Sequence, residues 1–367
     1  MLLIAGPTGV GKTELALKLA AQLPAAAIIN ADLGQCYTPL TIGTAKPDWR
    51  AAVTPHYLFD ILDQPLNFTA FQYRKKVATL LAQAEFQQRQ PLLVGGSGFY
   101  LQALLFRSPL DGLSDSQSDN APPYVNQPHE QLSTSKAALA KLVPTSSSSH
   151  LWAQLAQLDP VRAQTIAPQD HYRLQRALAI YQQTGLLPSQ CAPQFDPISA
   201  KITLVILTRD TPELYQRIDQ RVLEMLADGW LQEVFQLHGT TWADFLCQKR
   251  LIGYDDLLRY FGAQLPLADR FTHAPDLIQL IPVLQRLAQT GNDTELRQLT
   301  PQLMPVIQTI QQRTRRYAKR QMTFYRMLAR KLNPGASPTL TIHWWNLTDT
   351  TVDRYIKRLL NDPNLAN

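Results

Sequence analysis

The sequence predicts an α/β fold: a P-loop NTPase-like parallel sheet flanked by helices, with a helical insertion domain. Three observations predict it. Short apolar runs at 2–5, 25–30, 91–94 and 202–207 alternate with segments of helical periodicity, the pattern of a parallel sheet covered on both faces. The first run leads into Gly6-Pro7-Thr8-Gly9-Val10-Gly11-Lys12-Thr13, a complete phosphate-loop pattern with a strand before it and a helix after it. Residues 107–195 interrupt the alternation, first with low-complexity sequence and then with helical sequence, as an insertion does.

The elements follow in order. Residues 2–5 form a buried strand. From 12 to 23 the apolar positions Leu15, Ala16, Leu19, Ala20 and Leu23 repeat at helical spacing. Residues 25–30 are a second strand, and Pro91-Leu92-Leu93-Val94 a third, ended by Gly95-Gly96. The stretch 107–150 holds ten serines and five prolines in 44 residues, too polar to pack a core of its own. Helical periodicity returns over 151–184. Residues 202–207 are a fourth strand. Thr211-Pro212 then starts a helix whose stripe is Leu214, Ile218, Val222 and Met225, stopping near Gly229. Residues 255–330 read as helical, and 332–367 as a tail with Trp344-Trp345 and a last short helix. The expected organisation is therefore core over 1–106 and 196–331, a helical insertion over 107–195, and a C-terminal tail over 332–367.

Composition narrows the function classes. With 367 residues and 45% hydrophobic content, the chain can bury a core and is not disordered as a whole. No apolar run reaches the roughly 18 residues of a membrane span, and the first residues have no basic leader, so no membrane association and a cytoplasmic location are expected. Three scattered cysteines form neither a disulfide framework nor a metal site. A net charge of +6 permits a polyanionic partner without requiring one.

The chemistry concentrates in three places. In the phosphate loop, glycines let backbone amides turn toward phosphate oxygens, Lys12 adds a charge, and the Thr13 hydroxyl can hold Mg²⁺. That loop binds a di- or triphosphate without saying which. The strand at 91–94 ends in glycines and not in the acidic residue of an NTP-hydrolysing site. Asp32 follows the second strand, at the edge where open α/β sheets collect ligands; it is either a general base or the cap of the next helix. Ser97, in Gly95-Gly96-Ser97-Gly98, either contacts a phosphate or nucleophile or caps a helix over 99–105. Thirdly, 313–331 carries eight basic residues and no acidic one. Arg315, Lys319, Arg326 and Arg330 share one face, apart from an apolar face of Ala318, Met322, Tyr325 and Ala329. That arrangement suits a polyanion such as nucleic acid.

These motifs together resemble the tRNA dimethylallyltransferases. The phosphate loop is similar to theirs. So are Asn30-Ala31-Asp32-Leu33-Gly34-Gln35-Cys36-Tyr37, Gly95-Gly96-Ser97-Gly98-Phe99-Tyr100 and Ala318-Lys319-Arg320-Gln321, and Ile42-Gly43-Thr44-Ala45-Lys46-Pro47 matches without change. Leu33 and Gly34 stand where the family has polar residues, and Asp255 where it has arginine. The resemblance implies transfer of a dimethylallyl group from dimethylallyl diphosphate to N6 of an adenosine beside the anticodon. It implies that Asp32 takes the N6 proton, with Ser97 near the reacting atoms. Gly6, Thr8, Gly9, Val10, Gly11, Lys12 and Thr13 would hold the diphosphate with Mg²⁺, and Arg217, with Arg221 beside it, would assist its departure. Asp32, Leu33, Gly34, Gln35, Ser97, Arg173, Arg176, Lys249, Arg250, Gly253 and Tyr254 would contact the anticodon stem-loop of tRNA, joined by Arg315 and Lys319 of the basic helix. A monomer is expected. The competing reading is a P-loop small-molecule kinase of the shikimate- or nucleotide-kinase kind.

Overall fold

The computed structural model describes residues 1–107, 148–191, 193–264, 274–332 and 340–361. Most of the Ser/Pro-rich stretch, 108–147, lies outside the described residues. The elements begin with β1 (Leu2–Ala5), α1 (Lys12–Ala20), β2 (Ala26–Asn30), α2 (Leu33–Cys36), β3 (His56–Tyr57), α3 (Ala70–Ala82) and α4 (Ala84–Gln87). Next come β4 (Gln90–Gly95), α5 (Gly98–Leu105), β5 (Phe106–Arg107), α6 (Ser148–Leu158), α7 (Pro160–Ala163), α8 (His171–Thr184) and β6 (Gln194–Phe195). The chain continues with β7 (Ile202–Thr208), α9 (Thr211–Ala227), α10 (Trp230–Leu237), α11 (Thr241–Lys249), α12 (Tyr254–Gln264) and α13 (Ala274–Thr290). It closes with α14 (Thr294–Leu299), α15 (Leu303–Leu332), β8 (Leu340–Asn346) and α16 (Val352–Leu360).

One unit comprises Met1–Pro65, Thr79–Leu101 and Ser199–Asn367. Its sheet has six strands in the order β3-β2-β4-β1-β7-β8, and every pairing is parallel. The inner strands are continuously apolar because both faces are covered: all of β1 and β2 and all but the last residue of β7 are buried. Two strands escape the sequence reading. β3 has only two residues, and β8 is an edge strand whose burial is mixed. The expected tail is therefore part of the core: β8 pairs with β7 from Ile202↔Leu340 to Thr208↔Asn346, and Trp345, Leu347, Ile356 and Leu359 are buried with β1 and α1.

A second core joins the latter half of α9 to α10–α15 through Leu226, Trp230, Tyr254, Phe261, Leu284 and Ile307. The α9 stripe is Leu214, Ile218, Val222 and Leu226, with Leu226 in place of the expected Met225, and α9 ends before Gly229, whose φ of 103° only glycine adopts without strain.

The other unit comprises Leu66–Ala78 and Gln102–Ile198, so the insertion takes in a segment that the sequence had assigned to the core. Helices α6–α8 pack around Leu151, Leu155, Ile166, Leu174 and Leu178. Buried Asp159 caps α7 through Arg162 N and accepts Ser189 N at 2.7 Å. Arg74 donates to Ala103 O and Asp196 O, and its guanidinium pairs with the Asp196 carboxylate.

Candidate active site

Parallel strands deliver their loops to one edge. Ala5 pairs with Gly95 and with Ile206, and Asn30 with Val94. The phosphate loop, the Asp32 turn, the Gly96–Ser97 turn and Arg209 therefore meet at the carboxyl end of the sheet.

The phosphate loop closes on its own lysine: Lys12 Nζ donates to Gly6 O at 2.9 Å and Pro7 O at 2.8 Å. Gly9 (φ 78°) and Gly11 (φ 110°) take the left-handed turns that curl the loop, and α1 starts at Lys12. Two amides expected on the ligand are already used. Thr8 N donates to Gln321 Oε1 at 2.9 Å, and Val10 N to Pro7 O at 3.4 Å. The amides of Gly9, Gly11, Lys12 and Thr13 remain for an anion, at a helix start whose first N–H groups have no helical partner. Thr13 is exposed there; its hydroxyl is a hard oxygen donor beside the phosphate position, which suits Mg²⁺. Among the described residues, no cluster of three or more His, Cys, Asp or Glu offers a cage made of protein ligands alone.

Asp32 is held from both sides. Buried Asn30 accepts Asp32 N at 2.9 Å on Oδ1 and donates Nδ2 to Asp32 O at 2.9 Å and Leu58 O at 3.0 Å. Asp32 Oδ1 caps α2 by accepting Gly34 N at 3.0 Å. The capping alternative is thus real, and it occupies one carboxylate oxygen. The other oxygen, Oδ2, points toward Gly96, within 3.7 Å of where a Cβ would stand. Burial pushes the Asp32 carboxyl up, opposed by the charge of Lys12, the Gly34 amide and Arg221. Burial likewise brings Lys12 down to about 7, against the pull of Asp32. Ser97 sits beside this pair; its amide donates to Ala31 O at 3.2 Å, and no protein partner takes its hydroxyl among the described residues. A Cβ on Gly95 would lie 2.0 Å from Ala31 O, so the two turns touch backbone to backbone.

Three arginines lie over the loop. Arg217 Nε donates to Gly9 O at 3.1 Å, Arg221 Nη1 reaches Thr8 Oγ1 at 3.5 Å, and Arg209 Nε donates to Val10 O at 3.0 Å. Helix α15 closes the site from the side. Gln321 Nε2 donates to Gly96 O at 2.8 Å, Tyr325 Oη donates to the same oxygen at 2.8 Å, and Phe324 presses on Gly98. Tyr317 is exposed as a residue, but desolvation of its hydroxyl, then the Asp32 charge, raises that group's proton affinity. Asn30, Arg209, Gln321 and Tyr325 were not expected as site residues. Gln321 and Tyr325 carried a signal: a glutamine beside an apolar stripe, and a tyrosine within it, on an otherwise basic helix.

Several expected RNA contacts have other work. Arg315 pairs with Asp219 on α9; Arg313, which was not an expected contact, pairs with Asp255 and Asp256. Asp255 is fully buried, also meets Arg259 at 3.2 Å, and so neutralises part of the basic helix from within. Tyr254 is fully buried, and its hydroxyl donates to Glu233 at 2.6 Å. Gly253 exists for packing: a Cβ there would lie 2.0 Å from the Trp230 ring. Leu33 packs against the second core, and Gly34 has Thr44 Cγ2 2.8 Å from its Cβ position. Gln35 Nε2 holds Thr44 O at 3.1 Å and Ala45 O at 3.2 Å. Lys249 lies 5.6 Å from the Phe245 ring, with burial bringing its ammonium down to about 8, and Arg250 ends α11 in a left-handed cap. Arg173, exposed and paired with Asp170, and half-buried Arg176 belong to the other unit.

The run Ile42–Pro47 is a brace. Glu233 accepts the amides of Thr41, Ile42 and Gly43 at 2.9, 2.6 and 3.2 Å. Lys46 Nζ donates to Tyr37 O at 2.8 Å and pairs with Asp60. The run thereby fixes the segment that follows Asp32.

Comparison with known proteins shows the family and the fold. The family model described as IPP transferase matches residues 35–328. The chain belongs to the IPP transferase family. It is 35% identical to the tRNA dimethylallyltransferase of Lacticaseibacillus casei, over 96% of this chain and 93% of that protein. It is 32% identical to tRNA dimethylallyltransferase 1 of Citrifermentans bemidjiense, over 89% and 88% of the two chains. Its fold is similar to that of a eukaryotic dimethylallyltransferase solved acting on tRNA, with a TM-score of 0.68 and 24% identity over 99% of this chain and 78% of that one. The full-length tRNA isopentenylpyrophosphate transferase of Bacillus halodurans gives 0.54 at 24% identity, over 98% of this chain and 94% of that one.

Proposed function

We propose that this IPP transferase family member moves a dimethylallyl group from dimethylallyl diphosphate to the exocyclic N6 of an adenosine beside the anticodon of tRNA. The reading includes action as a monomer in the cytoplasm; among the described residues, no helix is long and apolar enough to cross a membrane. The observation that carries the proposal is the half-buried Asp32 carboxylate beside the phosphate loop, whose proton affinity is raised by desolvation and opposed by the charges of Lys12 and Arg221.

The amides of Gly9, Gly11, Lys12 and Thr13 receive the diphosphate, and Lys12, Arg217 and Arg221 balance its charge. Thr13 would hold Mg²⁺, which would supply further neutralisation of the leaving group. Charge grows on the diphosphate as its bond to the allylic carbon breaks, so these fixed donors act where the transition state needs them. The adenine N6 attacks that carbon. Asp32 Oδ2 takes the N6 proton while Oδ1 stays on the Gly34 amide, which keeps the base oriented. The raised affinity of Asp32 for a proton favours the transfer. The Ser97 hydroxyl stands beside the base to orient the amino group.

The test is isotopic. Labelled dimethylallyl diphosphate and unmodified tRNA, without ATP, are expected to give labelled tRNA and free diphosphate. A strict ATP requirement, or phosphate transfer to a small acceptor, would replace the proposal with the kinase reading.

A further inference from the structure

Next to the active site, and sharing Arg209 with it, a cavity of about 870 Å³ opens between the start of α9, the middle of α15 and the end of β8. Leu214, Ala318 and Met322 supply apolar surface in a lining that is otherwise mostly polar. One wall is the indole of Trp344, which is 42% exposed, whereas its neighbour Trp345 is turned inward and stacked on Tyr355 at 4.5 Å. Lys319 and Arg326 also line the cavity; both are exposed, and neither has an ion-pair partner among the described residues. The remaining charges are spent internally: Arg209 on Glu213, Val10 O and Leu347 O, and Asp210 on Asn346 Nδ2 at 3.1 Å.

We infer that this cavity is a second RNA subsite, which stacks an unpaired base of the bound RNA on Trp344 and holds the flanking phosphates with Lys319 and Arg326. The inference rests on the tRNA reading above. A free aromatic face takes a base of any identity, because every base has a π-face. The volume lies within the roughly 300–1,000 Å³ of sites that enclose small molecules and suits one nucleotide with its ribose. A strand fits better than a free nucleotide for a geometric reason. Lys319 and Arg326 are seven residues apart, about 10 Å along the helix, and Arg330 continues the same face. That row suits successive phosphates more than one. Trp344 also lies beyond residue 328, where the match to the family model ends, so this subsite is a feature of the chain's C-terminal strand.

Affinity for unmodified tRNA is measured by fluorescence anisotropy, without prenyl donor, for wild type, Trp344→Ala, Trp344→Phe and the double variant Lys319→Gln/Arg326→Gln. Trp344→Ala is expected to raise Kd about tenfold or more, and Trp344→Phe to recover most of that loss because a ring remains to stack on. The double variant is expected to lower the slope of log Kd against log salt by about 1.4, two single-strand phosphate contacts. Unchanged Kd and slope in variants that melt like wild type would overturn the subsite. So would adenosine monophosphate that protects Trp344 from quenching while RNA binding ignores the substitutions, since that assigns the cavity to a free nucleotide. The two proposals fail separately. Trp344-dependent RNA binding without prenyl transfer would remove the activity and keep the subsite. Prenyl transfer with Trp344-independent binding would do the reverse.

Discussion

At the scale of single residues, Asp32 carries two duties on two oxygens. One oxygen caps α2, and the other faces the Gly96–Ser97 turn. Asparagine caps a helix about as well as aspartate but cannot take a proton. Asp32→Asn is therefore expected to keep its melting temperature and its affinity for diphosphate, while single-turnover prenyl transfer falls about 10²–10⁴-fold. A rate within a few fold of wild type would leave Asp32 as a cap alone. Lys12 makes a separate prediction through proton linkage. Burial brings it down to about 7, so in the free protein it is mostly neutral at pH 8. A bound diphosphate favours the ammonium and raises that value, so binding takes up a proton. Calorimetry in buffers of different ionisation enthalpy is expected to show uptake of close to one proton at pH 8. The uptake should vanish well below pH 7, where Lys12 is already charged. No uptake at pH 8 would mean that the free lysine keeps its charge.

At the scale of elements, α15 was legible as an amphipathic basic helix, but its working side was not. Periodicity marked Ala318, Tyr325 and Ala329 as inward, and they are; the fourth position, Met322, is only half-buried, while Gln321 is buried in the helix's contact with both glycine turns. A buried glutamine gives no hydrophobic signal. The same limit hides the ion pairs of the helix: charge patterning on α15 cannot reveal that Asp219, Asp255 and Asp256 from other helices answer Arg313 and Arg315. Lys319, by contrast, meets no such carboxylate among the described residues. Gln321→Leu is expected to leave the Thr8 amide without its acceptor and to weaken the tie to Gly96 O, which Tyr325 still holds. A fully buried orphaned donor costs about 1–3 kcal/mol, and the half-buried Thr8 amide less. The urea midpoint should drop accordingly with an unchanged m-value, and KM for dimethylallyl diphosphate should rise as the loop loosens. A midpoint equal to wild type would show that water replaces the side chain without cost.

At the scale of the whole molecule, the sequence made the active-site edge legible because its parts are local: a strand, a glycine turn and a helix within a dozen residues. It left the far edge of the sheet unread for the opposite reason. β8 joins β7 from more than 130 positions away, is covered on only part of its surface, and alternates too weakly to announce itself. Yet the pairing runs the full seven residues of β7, and the buried set Trp345, Leu347, Val352, Ile356 and Leu359 closes the core that also holds Leu2, Ile4 and Leu15. Removing residues 333–367 would strip a strand from β7, leave its ladder groups exposed, and open an apolar face over β1 and α1, directly behind the phosphate loop. Five buried side chains of this kind, at about 1.5–3 kcal/mol each, amount to as much as a domain's usual net stability of about 5–15 kcal/mol. The truncated chain is expected to be insoluble or to melt without a cooperative transition, although it retains everything the family model matches. Cooperative unfolding near the wild-type midpoint, with diphosphate affinity intact, would show instead that β7 can serve as a sheet edge and that the last strand serves the Trp344 cavity alone.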